Sequence, residues 1–92
     1  MVETGTRLCR PEGAVHRQTL AGALVLVPGD TEPALLTGPG ADVWELLEDG
    51  ITQEELVAEL AERYHVDRER VATDIVPLLD QLAERGMVVH SS

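Results

Sequence analysis

The hydrophobic period of this chain changes once, at Gly38-Pro39-Gly40, and that change fixes the order in which strands and helices can occur. Before it, Ala23-Leu24-Val25-Leu26-Val27 is a short apolar run bounded by Gly22 and by Pro28-Gly29-Asp30. A run this short and this rich in β-branched residues reads as a buried strand. Residues 14–20 alternate roughly and predict a strand ahead of it. The turn at Pro28-Gly29-Asp30 sends the chain back as a third strand, Glu32-Pro33-Ala34-Leu35-Leu36-Thr37. Pro33 cannot donate a ladder hydrogen bond, so this third strand is expected at a sheet edge.

After the change, Val43, Trp44 and Leu47 recur at the spacing of one helix face, and Gly50 offers a left-handed stop. Thr52 and Glu55 form a capping-box pair, and Ile51 can pack on Leu56 as a hydrophobic staple. A second helix is therefore expected over about 52–64, with Leu56, Leu60 and Tyr64 on its inner side. A third repeats the logic with Val66 and Val71 around an Asp67 cap and continues through Ile75, Leu78, Leu79 and Leu82 to Gly86. Pro77 lies inside this helix and predicts a bend near Thr73. Met87-Val88-Val89 is expected to cover the core as an extended tail. Residues 1–13 lack sustained periodicity and read as a loosely attached arm, leaving one domain over residues 14–90.

The chain of 92 residues suits a single domain. With one Trp, one Tyr and no Phe, its core must be aliphatic. No apolar run reaches the length of a membrane span, and the N-terminus lacks a basic stretch followed by an apolar block, so a cytoplasmic protein without a membrane partner is expected. Cys9 is the only cysteine, which suits a reducing compartment.

Seventeen acidic residues against seven Arg give a net charge of −10. Thirteen of those acids and four of the Arg fall between Asp42 and Arg85. Such a surface repels phosphate backbones, so nucleic acid is not an expected partner.

The residues for catalysis are missing from the pattern. His16, His65 and His90 lie in separate elements and form no helical metal pair. There is no Lys for Schiff-base chemistry, no nucleophile elbow, and Gly38-Pro39-Gly40 has neither the length nor the Lys of a phosphate-binding loop. The acid pairs Glu48-Asp49 and Glu54-Glu55 fall at helix ends, where solvent and the helix dipole account for them. No enzyme, metal or cofactor is expected.

Three antiparallel strands followed by three helices make an α+β chain with winged helix-turn-helix order, which ordinarily suggests a DNA-binding regulator. The outward positions of the third helix, Glu69, Ala72, Thr73, Val76 and Asp80, carry no cation, which argues against that use. An unpaired strand edge beside an amphipathic helix instead suits an extended peptide, added to the sheet through main-chain bonds. A structural subunit pairing edge to edge is the remaining alternative.

The stretch Leu36-Thr37-Gly38-Pro39-Gly40-Ala41-Asp42-Val43-Trp44-Glu45-Leu46-Leu47-Glu48-Asp49-Gly50, following the apolar run 23–27, resembles the PqqD-like family. Thr52, Glu55-Leu56, Leu60, Tyr64-His65-Val66-Asp67, Val71, Asp74-Ile75, Leu79, Leu82 and Gly86-Met87-Val88 fall at the same family's spacing. Two departures are Thr37, where relatives carry Asn, and Glu32-Pro33-Ala34, where relatives are often aromatic. The resemblance implies a recognition element that binds the leader of a ribosomally made precursor peptide as an added strand. It implies a binding surface of Pro33, Ala34, Leu35, Leu36, Val71, Asp74, Ile75 and Leu78. The chain looks closer to stand-alone members of lasso peptide pathways, which deliver the precursor to a leader peptidase and then a cyclase. The alternative is the pyrroloquinoline-quinone (PQQ) chaperone that works with a radical SAM enzyme.

Overall fold

A computed structural model describes residues 7–91 of the chain. In order, these form β1 (Arg7–Cys9), β2 (Val15–Gln18), β3 (Ala23–Leu26), β4 (Ala34–Leu36), α1 (Pro39–Leu46), β5 (Ile51–Thr52), α2 (Gln53–Tyr64), α3 (Arg68–Glu84) and β6 (Val89–Ser91). The expected antiparallel sheet is present in the order β2-β3-β4, with the expected three helices after it. A second antiparallel sheet, in the order β5-β1-β6, is formed from the two ends of the chain and the α1–α2 connection. The strands thus divide between two small sheets, where the winged helix-turn-helix expectation has one.

The second sheet corrects the expectation of a loose arm for residues 7–10 of the 1–13 stretch. Leu8 is only 2% exposed and sits in the core. Its strand pairs with β5 through Leu8 and Ile51 and with β6 through Leu8 and His90. Arg10, one residue past β1, donates from Nε to the Trp44 carbonyl at 2.9 Å, with its guanidinium carbon 4.7 Å from the ring centroid. A three-residue strand whose partners lie more than forty positions away leaves no local period to read. Met1 to Thr6, the rest of the expected arm, lie outside the described residues.

The first sheet turns where the sequence demands. Thr19 Oγ1 accepts from the backbone N–H groups of Ala21 and Gly22 at 3.2 and 3.1 Å, a local turn between β2 and β3. Gly22 then passes so close to β4 that a Cβ there would lie 2.0 Å from the Leu36 carbonyl oxygen, a contact only glycine avoids. In the pairing of β3 with β4, Ala23 faces Leu36, Leu24 faces Leu35 and Val25 faces Ala34. Strand alternation puts Ala23, Val25 and Leu36 in the core and leaves Leu35 outside it.

Helix α1 starts at Pro39, whose fixed φ and missing N–H suit the first turn. Its Val43 and Trp44, with Leu47 just beyond, are almost fully enclosed. The α2 capping box is complete. Glu55 N–H donates to Thr52 Oγ1 at 3.1 Å, and Thr52 N–H donates to Glu55 Oε1 at 3.1 Å. The Asp67 cap is different: Asp67 occupies the N-cap position of α3, but its carboxylate makes no capping bond. Helix α3 runs uninterrupted through Pro77. Thr73, whose carbonyl loses its ordinary N–H partner there, donates its hydroxyl to the Glu69 carbonyl at 3.1 Å. Met87 and Val88 after α3 are buried, as expected of the tail. No helix among the described residues is long and apolar enough to cross a membrane.

Three outcomes test this packing. Leu8→Ala should destabilise the domain by about 2–5 kcal/mol in denaturant unfolding, as for a core leucine; a loss under about 0.5 kcal/mol would mean that β1 is not part of the core. Thr52→Ala should cost about 1 kcal/mol through the lost cap. The same box holds the Glu55 carboxyl below its ordinary value of 4.5, first through the Thr52 backbone N–H and then through its hydroxyl. Its contribution is therefore complete above that ordinary value and disappears as pH falls through the lower folded value. The stability difference between wild type and Glu55→Gln should accordingly narrow in acid; a difference independent of pH would contradict the box.

Candidate functional site

Strand β4 has one ladder partner, β3, and is the edge of its sheet. The strand is shorter than the expected Glu32 to Thr37, and Pro33, expected within it, lies just before it, where its missing N–H interrupts no ladder bond. Beside this edge a groove of about 1030 Å³ runs along α3, in the size range of ligand pockets but elongated along a helix. Its floor and walls include Leu36, Leu60, Val71, Ile75, Leu78 and Leu82. The helical spacing of Val71, Ile75, Leu78 and Leu82 places one apolar stripe of α3 against the core and the groove together.

Six of the eight residues expected at the site line this groove: Leu35, Leu36, Val71, Asp74, Ile75 and Leu78. Pro33 and Ala34 line an adjoining cleft with Asp30, Thr31 and Glu32. The two clefts share Leu35, Glu84 and Arg85, so all eight residues border one continuous surface. Their exposures differ. Leu35 is 51% exposed and stands free at the edge, Leu36 and Ile75 are largely core, and Leu78 is half-buried.

Several lining residues were not in the sequence expectation. Gln81 and Arg85 extend the α3 stripe past Leu78, and continuing the three-to-four spacing would have found them. Tyr64 and Val66 enter from the α2–α3 connection. Tyr64 had been expected on the inner side of α2; instead it is 43% exposed, lines the groove and donates its hydroxyl to Asp42. Residues four apart drift round a helix, so Tyr64, eight positions after Leu56, has left the buried face. His65, at φ 56°, is the only non-glycine residue with positive φ among those described, and it ends α2 one residue after Tyr64.

The charges around the groove are balanced although the chain is strongly acidic. Arg70 and Arg85 line it together with Asp74 and Glu84. Arg70 Nε lies 3.8 Å from Asp74, one helical turn away, an exposed pair that contributes little to stability. Arg63 bridges Asp42 at 3.4 Å and Glu45 at 3.1 Å, behind Tyr64. Among the described residues, no three His, Cys, Asp or Glu side chains are grouped to hold a metal ion.

Comparison with known proteins gives one match. The family model described as coenzyme PQQ synthesis protein D (PqqD) covers residues 23–88, from β3 to the segment after α3, which includes the edge strand and the whole groove. No curated protein and no solved structure matches the chain. A match across well over half of the sequence, spanning every element that builds the groove, places this chain in the PqqD family, the recognition element for ribosomally synthesised and post-translationally modified peptides.

Proposed function

We propose that this domain captures the leader region of a ribosomally made precursor peptide and presents it to a separate modifying enzyme. The observation that carries the reading is the unpaired β4 edge lying along an apolar groove. An extended peptide placed there gains main-chain hydrogen bonds from the edge and inserts alternate side chains beside Leu36, Ile75 and Leu78. Pro33, Ala34, Leu35, Val71 and Asp74 complete the contact surface. The role requires no catalytic group. Holding the precursor close to an enzyme raises its effective concentration, which accelerates modification without chemistry in the domain itself. The acidic helix faces favour a peptide over a phosphate backbone.

Within that role we favour delivery in the cytoplasm to the leader peptidase, and then the cyclase, of a lasso peptide pathway. A second reading is a PQQ-pathway chaperone serving a radical SAM enzyme, favoured by the family description as a coenzyme PQQ synthesis protein. The two differ in the peptide bound, so parallel calorimetric titrations with a lasso-type leader and a PQQ-type precursor separate them.

Leu35→Asp tests the site itself, because an exposed leucine can be replaced with little harm to the fold. It should weaken leader binding at least tenfold, about 1.4 kcal/mol. Ile75→Asp should weaken it too, with a cost in stability because Ile75 is 3% exposed. Wild-type affinity in folded Leu35→Asp would show that the peptide binds elsewhere.

A further inference from the structure

The first sheet has an outer face that the core does not use. In the register of β2 with β3, Val15 faces Leu26 and Arg17 faces Leu24, and Leu24 in turn faces Leu35 of β4. Directly paired residues share a face, so these five side chains stand together on the side opposite to buried Ala23, Val25 and Leu36. Apart from Arg17 this face is apolar. Val15 is 60% exposed and Leu35 is exposed too, while Leu24 and Leu26 between them are half-buried without joining the core cluster.

Its charge is out of keeping with the rest of the chain. Fifteen of the seventeen acids occur from Asp30 onward, and none lies between Ala14 and Gly29, the segment that holds β2, its turn and β3. Arg17 has no ion-pair partner among the described residues. The face therefore offers apolar surface with one unneutralised cation, on a protein whose helices repel acidic surfaces.

Size decides what can sit there. Three strands about 4.8 Å apart and about 13 Å long make a face on the order of 200 Å², against about 800 Å² given up by each partner in a stable interface. Two copies of this chain would have to overcome a charge of −10 on each to bury so little. A peptide added at β4 enlarges the face, because its alternate side chains enter the groove and the others fall beside Leu35 on the outer side. Resting on the peptide-capture reading, we infer that the outer face of β2-β3-β4 is the docking surface for the modifying enzyme and that the bound leader completes it. The enzyme's matching patch is apolar at its centre and carries a carboxylate opposite Arg17. Domain and cargo are read as one surface, so the enzyme binds the loaded domain in preference to the empty one.

The test uses Val15→Asp and Arg17→Glu, singly and together, at two exposed positions on the strand farthest from the β4 edge. Calorimetry measures leader affinity. Interferometry on the immobilised full chain, with and without saturating leader, measures binding of the enzyme whose pathway matches that leader: the leader peptidase for a lasso-type leader, the radical SAM enzyme for a PQQ-type precursor. Loaded wild type should hold the enzyme about tenfold or more tighter than empty wild type, and the double variant should bind the leader normally while losing about tenfold or more in enzyme affinity. An enzyme that recognises the leader alone would be indifferent to the variants; that result would overturn docking at this face and leave peptide capture standing. Equal affinity for loaded and empty wild type would overturn completion by the leader. Leader binding lost in the folded double variant would put the peptide itself on this face, against both the docking surface and the β4 site. No leader binding by folded wild type would overturn capture.

Discussion

Burial of Trp44 is the interaction on which the rest of the structure depends. It is the only large aromatic group in a core otherwise made of aliphatic side chains, and it is 1% exposed. Arg10 reaches it from beyond β1, with one bond to its carbonyl and a cation above its ring. His16 meets it edge-on from β2, with centroids 5.8 Å apart. One residue of α1 is therefore gripped by segments adjoining both sheets. With Trp44 fixed, α1 is held at the end of β4, and Gly40 near its start is enclosed between Leu36 of β4 and Leu78 of α3.

The groove combines two incomplete elements. Strand β4 lacks a partner on one side, and α3 turns an apolar stripe toward a space that no other element of the described chain fills. In an ordinary monomer an open edge is a liability that charge, proline or a covering element restrains. Here Pro33 lies at its approach, with Glu32 before it, and a strong net negative charge opposes association of copies. Those features leave the edge open without making it generally adhesive. The balanced charges of Arg70, Asp74, Glu84 and Arg85 keep the groove itself from repelling a peptide, although most of the protein's acids lie on the same helices.

Much of this was legible in the sequence because it is local. The 23–27 strand, the edge marked by Pro33, the Thr52–Glu55 box and the α3 stripe each announce themselves within a few residues. Six of the eight expected site residues share one groove because strand alternation and helix period already put them on facing surfaces. What could not be read is non-local. Strand β1 has too few residues for a period, and its partners at 51–52 and 89–91 are known only once the chain has folded. Asp67 has the right residue type and position for a cap, but its side chain makes no capping bond. Tyr64 reads as core by its four-residue spacing from Leu60, yet the drift of that spacing round α2 leaves it at the groove, with its hydroxyl donating to Asp42.

Strand addition at β4 is the central claim, and amide hydrogen exchange with and without a saturating lasso-type leader peptide tests it most directly. The account predicts slower exchange within Ala34–Leu36 and along the groove side of α3, with the opposite sheet edge at Val15–Gln18 unchanged. Saturable binding that protects Val15–Gln18, or leaves Ala34–Leu36 exchanging as in the free protein, would contradict it.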